Sequence, residues 1–347
     1  MTARTYLDWN ASAPLRPEAR RAMIGAMDVI GNPSAVHAEG RAARALVEDA
    51  RKRIARALGA EGAEIVFTSG ASEAAALALA GRDLAAAAVE HPAVAAWTRP
   101  VLAADGEGRV DVPAPGASTL QLANSETGII QDPPPGLAVS DLTQAAGKIP
   151  MAFDELGCAA GILSAHKLGG PKGVGALLLR PGTAIEARIR GGGQEAGRRA
   201  GTENVIAIAG FAAAAEAAVR DISAGLWDDV RALRNILENL LADTARETIF
   251  VGQGARRLPN TTLIATPGWK GETQVMQMDL AGFATSAGPA CSSGKTRRSG
   301  VLAAMGLNRL EGCALRVSIG PGVDEDAIRA FARVWSGHHE RFRARAG

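Results

Sequence analysis

The chain has 347 residues, 38 Lys and Arg against 36 Asp and Glu for a net charge of +2, and 47% hydrophobic residues. A balance so near neutrality argues against a generally basic nucleic-acid binder, and 4% aromatics with one tyrosine leave little surface for stacking bases. The length suits one large globular domain plus a smaller one, and no apolar run reaches the roughly 18–20 residues that span a bilayer, so no membrane partner is expected.

In residues 1–14, Asp8 stands where a signal peptide would carry its apolar region, so an unexported, cytoplasmic protein is expected. Leu46, Val47, Ala50, Ile54, Ala57 and Leu58 recur at helical spacing with arginines on the other face, predicting an amphipathic helix over 38–58 closed by Gly59. Residues 64–68, Glu-Ile-Val-Phe-Thr, predict a strand that turns through Ser69-Gly70 into an alanine-rich helix. Short apolar runs bounded by Gly, Pro or Asp at 85–89, 118–123, 136–140, 161–164 and 174–179 predict a sheet buried on both faces. Helical patterns over 203–221 and 226–245 follow. Beyond 249 come isolated strands at 261–265 and 315–319, a loop of small residues over 286–300, and a terminal helix opening at Asp324. The expected class is α/β, with a mostly parallel central sheet and a smaller α+β domain. The domain boundary is placed near 250, with 15–250 as the large domain, 251–347 as the small one and 1–14 joining the latter.

Several short motifs carry chemistry. Thr68-Ser-Gly-Ala-Ser-Glu73 enters a helix, where free backbone amides, the helix dipole and the Ser72 hydroxyl favour an anion, although a plain strand-to-helix turn fits as well. Leu163-Ser-Ala-His-Lys167 follows an apolar strand into a glycine-bounded loop. Lys167 there suits Schiff-base chemistry if its pKa is lowered, with a solvated loop lysine as the bland alternative. Asp141 closes the preceding apolar strand, where a carboxylate can pair with a pyridinium nitrogen, and His91 closes another, where it can lie over a cofactor ring. Lys148 and Lys172 lack such a setting. The cysteines, Cys158, Cys291 and Cys313, are too scattered for a disulfide framework or a metal site, so a reducing compartment and no metal are expected. Cys291 lies among small residues with Lys295, Arg297 and Arg298 nearby, a setting that favours thiolate, whereas Cys158 and Cys313 lie in apolar contexts.

Taken together, Tyr6-Leu-Asp-Trp-Asn-Ala11, Gly31-Asn-Pro-Ser34, Phe67-Thr-Ser-Gly-Ala-Ser-Glu73, Glu90-His91, Asn124-Ser-Glu-Thr-Gly128, Asp141-Leu-Thr-Gln144, Ser164-Ala-His-Lys167, Gly191-Gly-Gly-Gln-Glu195, Arg199-Ala-Gly-Thr-Glu-Asn204, Ser286-Ala-Gly-Pro-Ala-Cys291 and Leu315-Arg316 occur in an order that resembles a NifS/IscS-like cysteine desulfurase. The resemblance covers nearly the whole chain and implies a fold-type I, aspartate aminotransferase-like enzyme that uses pyridoxal 5'-phosphate.

The resemblance implies that Lys167 holds the cofactor, Asp141 pairs with its pyridine nitrogen, His91 stacks on its ring and moves protons, and Gln144 bonds its phenolic oxygen. It assigns the phosphate to Ala71, Ser72, Ser164 and His166, with Thr202 reaching in from the other subunit of a homodimer. Arg316, assisted by Asn32, takes the carboxylate of L-cysteine. Cys291 receives the sulfur as a persulfide, leaving L-alanine, and an iron–sulfur scaffold or a thiolation pathway accepts it. Where the family pattern reads Asn-Asn-Glu this chain has Asn124-Ser125-Glu126, so Ser125 stands where the cofactor-facing Asn is expected. The chain is also shorter than the pattern at 83–89, 110–118 and 131–136. A selenocysteine lyase or another class V lyase is the alternative within enzymes, and a weakly active sulfur-transfer partner the alternative outside them.

Overall fold

The computed structural model describes residues 4–288 and 298–346. Glu64–Thr68 pairs antiparallel with Gly175–Leu179, which pairs antiparallel with Ala160–Ser164, and this strand runs parallel to Ser140–Asp141. Parallel bridges, Val139 to Thr119 and Ser118 to Ala85, carry the sheet on to the parallel pair Ala85–Ala87 and Arg99–Leu102. Gly175–Leu179 therefore opposes both its neighbours in an otherwise parallel sheet. The run predicted as a strand over 118–123 is a line of bridges and not a continuous ladder, because the Gln121 amide donates to Glu90 Oε1 at 2.7 Å instead of to a neighbouring strand.

Alternation along the strands explains why their sequences are almost continuously apolar. Ile65, Phe67, Leu163 and Leu178 face a core built with the helices Ala38–Ala57 and Val205–Ser223, while Val66, Ile162 and Leu177 face the helix Ala71–Leu79. Ala38–Ala57 ends as its sequence predicts. Gly59 takes φ +56, and the Ala60 amide closes back on Ala55 O at 2.8 Å. Cys158 lies in the first core, where burial pushes its thiol up to about 11.

A second core gathers the antiparallel strands Ala314–Ser318, Thr261–Ala265 and Ile249–Phe250 with the helices Leu226–Thr244 and Glu325–Ala346. Trp227, Leu237 and Leu241 pack there with Leu315, Phe331 and Trp335. The helix Leu226–Thr244 thus belongs by packing with the chain beyond 250, whereas the sequence reading assigns it to the large domain. Its apolar stripe suits either core, and the turn at Gly225, φ +79, directs it to the second. Thr5–Tyr6 pairs in parallel with Phe283–Ala284, and Leu7 joins the same core. No helix among the described residues is long and apolar enough to cross a membrane.

Candidate active site

Glu64–Thr68, Ala160–Ser164 and Ser140–Asp141 all run in one direction, so Thr68, Ser164 and Asp141 end at the same edge of the sheet. Open α/β sheets bind ligands at such carboxyl ends. A cavity of about 470 Å³ lies there, lined by Ser72, His91, Asp141, Gln144, His166 and Lys167, among others. Gly175 makes the edge possible, since a Cβ on it would stand 2.5 Å from Leu163 O and 2.7 Å from Gly70 Cα.

One end of the cavity suits an anion. The helix Ala71–Leu79 points its first turn at it and has no side-chain cap at Gly70, so its leading amides and the dipole remain available. Ser72, Ser164, His166 and Lys172 also line the cavity. Burial, with Lys167, Lys172 and Lys148 adding their repulsion, pushes His166 down to about 4, so at neutral pH it is an uncharged imidazole that donates one hydrogen bond.

The middle of the cavity presents a carboxylate, an imidazole and an amine. Asp141 is fixed by the Thr143 amide, which donates to Oδ1 at 2.9 Å. His91 Nδ1 accepts from the Ala93 amide at 3.1 Å, so in the neutral ring the proton sits on Nε2. Burial, helped by Lys167 and opposed by Asp141, holds His91 below its ordinary pKa. Lys167 Nζ donates to Asn10 O at 2.6 Å and Ala11 O at 3.0 Å, which bends the N-terminal segment over the amine. Glu90 precedes His91 in the chain and is buried. Its Oε2 is buried without a hydrogen bond, and burial, with Asp141 adding repulsion, pushes the carboxyl up to about 8, so it is protonated at neutral pH.

Asn10 is completely buried and joins the two cores. Its side chain donates to Thr261 Oγ1 at 2.8 Å and accepts from Asn260 at 3.0 Å, while its carbonyl takes both Lys167 and Gln144 Nε2, the latter at 3.0 Å. Sequence reasoning missed this role, as it missed Glu90 and Lys148. A buried hydrogen-bond junction leaves no spacing signal, and Glu90 registers only as the neighbour of His91.

Ala71 and Ser125 also line the cavity. Arg316 does not. It is 2% exposed behind Ser125, whose carbonyl accepts from Nη1 at 2.9 Å, and its Nε is buried without a partner. Asn32 and Thr202 are exposed and lie outside the cavity of the single chain. Their loops adjoin, since Gln194 Nε2 donates to Ser34 Oγ at 3.4 Å. Cys291, Lys295 and Arg297 lie outside the described residues, whereas Arg298 is described and exposed. Among the described residues no group of His, Cys, Asp and Glu is arranged to hold a metal ion.

The aminotransferase class-V family model matches residues 5–105 and 119–331, which include the cavity. The chain belongs to the aminotransferase class-V family. Enzymes of this family use pyridoxal phosphate, and the donors present fit that group: an uncapped helix end with two hydroxyls for a phosphate, and an amine, a carboxylate and an imidazole around the space for a ring. Within the class-V family the chain is similar to a cysteine desulfurase of Cereibacter sphaeroides, 39% identical over 87% of each chain. It is also similar to cysteine desulfurase IscS of Dictyoglomus turgidum, 36% identical over 88% of this chain and 87% of the other. A solved NifS-like protein from Rickettsia africae superposes with a TM-score of 0.87 at 30% identity, covering 97% of this chain and 99% of that one.

Proposed function

We propose that this class-V chain is a cysteine desulfurase that converts L-cysteine to L-alanine and passes the sulfur to Cys291 as a persulfide. The observation that carries the reading is the convergence of Lys167, Asp141, His91 and an uncapped helix end on one cavity. Bound pyridoxal phosphate supplies an electron sink for bond cleavage next to the amino-bearing carbon.

In this reading Lys167 holds the cofactor covalently, Asp141 faces its ring nitrogen, and the His91 ring covers it, with Nε2 as the atom that exchanges protons. Gln144 Nε2 and the Ser125 hydroxyl face its phenolic oxygen. Ala71, Ser72, Ser164 and His166 hold the phosphate. Arg316 and Asn32 take the substrate carboxylate, Nε being the one guanidinium nitrogen of Arg316 left without a partner. A thiolate at Cys291 attacks the substrate sulfur. The new S–S bond forms as the carbon–sulfur bond breaks, the electron pair stays on carbon, and a proton delivered there completes alanine.

Thr202 sits on an exposed loop, and we assign it to the phosphate of a second copy, which makes a homodimer the working unit. The smaller unit of each copy is built around the second core, which takes Leu7 from the N-terminal segment and the helices Leu226–Thr244 and Glu325–Ala346. A cytoplasmic location and an iron–sulfur scaffold or thiolation pathway as sulfur acceptor complete the reading. Purified protein with L-cysteine and a reductant tests it: equal amounts of alanine and sulfide are expected, and sulfide with pyruvate in place of alanine would refute it.

A further inference from the structure

Lys148 is 1% exposed, and among the described residues its amine bonds to one residue: Nζ donates to Gln144 Oε1 at 2.6 Å and to Gln144 O at 3.1 Å. Among the described residues no salt bridge joins it to a carboxylate. Burial, with Lys167 and Arg316 adding repulsion, pushes its pKa well below the ordinary lysine range. Such a lysine costs stability that an alkane side chain would not, so its presence calls for a reason.

The reason lies in Gln144. The two ends of a glutamine amide have nearly the same shape and differ in that one accepts and the other donates, so packing alone does not choose between them. Lys148 donates to Oε1 at 2.6 Å, and an ammonium there has no acceptor to offer Nε2, while the Asn10 carbonyl on the other side can only accept, so together they turn the NH2 group away from Lys148. That way lies Asn10 O, which Nε2 meets at 3.0 Å beside Lys167 Nζ, which reaches the same carbonyl at 2.6 Å, and both Gln144 and Lys167 line the cavity.

We propose that Lys148 is a positioning residue that locks the amide of Gln144 with its donor end towards the cavity, so that the phenolic oxygen of the cofactor meets a hydrogen-bond donor. The inference rests on the reading that Gln144 faces that oxygen. Lys148 itself touches neither cofactor nor substrate. Its effect passes through Gln144, which makes it separable from a packing role.

The test is a double-mutant cycle of Lys148→Met and Gln144→Leu, read as the Kd for pyridoxal phosphate added to cofactor-stripped protein and as the pH midpoint of the visible absorbance band. Lys148→Met is expected to raise Kd about 3- to 10-fold, the equivalent of one hydrogen bond, and to move the band midpoint in the same direction as Gln144→Leu does. In the Gln144→Leu background it should raise Kd less than about 2-fold further. A lower Tm with wild-type Kd and band, or additive losses in the cycle, overturns the proposal. Should Lys148→Met not fold, Lys148→Gln keeps a polar partner but accepts as readily as it donates, and the same rise in Kd is expected; a wild-type Kd for it overturns the proposal equally. A wild-type Kd and band for Gln144→Leu overturns the placement of Gln144 as well, whereas a loss in Gln144→Leu with none in Lys148→Met overturns the role of Lys148 alone.

Discussion

Asp8 and Arg316 meet at 2.7 Å across 308 residues of sequence, Oδ1 of the one accepting from Nη2 of the other, with Ser286 donating to the second Asp8 oxygen at 2.8 Å. The side chains are 16% and 3% exposed, so the pair is largely dry and sets the plane of the guanidinium next to the cavity wall. Removing one partner of such a pair strands a buried charge. Asp8→Ala is expected to destabilise the protein by about 3 kcal/mol, seen as a lower Tm, and a Tm equal to wild type would mean that solvent already compensates Arg316.

Arg316→Lys should raise KM for cysteine about 10-fold, because an ammonium cannot keep the bonds to Asp8 and the Ser125 carbonyl and still offer the substrate carboxylate a fixed donor. Steady-state kinetics with cysteine check this, and an unchanged KM would remove Arg316 from substrate binding.

Borohydride treatment of the holoprotein followed by peptide mapping is expected to label Lys167. The nearby lysines offer a sharp contrast, since Lys148 is committed to Gln144 and Lys172 stands at the anion end of the cavity. Label on either would displace Lys167 from its role.

Cys291→Ser should retain the cofactor and its visible band while alanine production falls by about 100-fold or more, since the nucleophile is lost and the cradle is not. Alanine release near the wild-type rate would instead favour a lyase that needs no protein thiol.

Glu90 and His166 give stability opposite slopes with pH. Glu90 keeps its proton in the folded protein up to about 8, whereas the unfolded chain releases it near the ordinary 4.5, so its contribution to stability declines as pH rises through that window. His166 stays neutral down to about 4, while the unfolded chain takes up a proton near 6.5, so its contribution declines as pH falls from there. Glu90→Gln keeps the shape and removes the titration. Its Tm is expected to fall less than that of wild type between about pH 6 and about pH 8, and parallel curves would count against a protonated Glu90.

The secondary structure was largely legible because its signals are local. Ile65, Val66 and Phe67 announce a doubly buried strand, Leu46 through Leu58 a one-sided helix with Gly59 at its end, and Lys167 a lysine just past an apolar strand. The run 118–123 misled by the same logic, since its composition is that of a strand while Glu90 takes the hydrogen bond a ladder would need. The place of the helix Leu226–Thr244 was also out of reach, because an apolar stripe records that a face is buried and not which core buries it.

By itself the sequence determined which residues are chemically able to act and the order in which they occur, since residue type and spacing along a strand or a helix turn are local properties. Tertiary structure alone decided how those residues are poised. The protonated Glu90, the neutral His166, the pair of Asp8 with Arg316 and the orientation of Gln144 under Lys148 all arise from desolvation and from contacts between segments remote in sequence. Those energies depend on three-dimensional distance and on the exclusion of water, which no local pattern encodes.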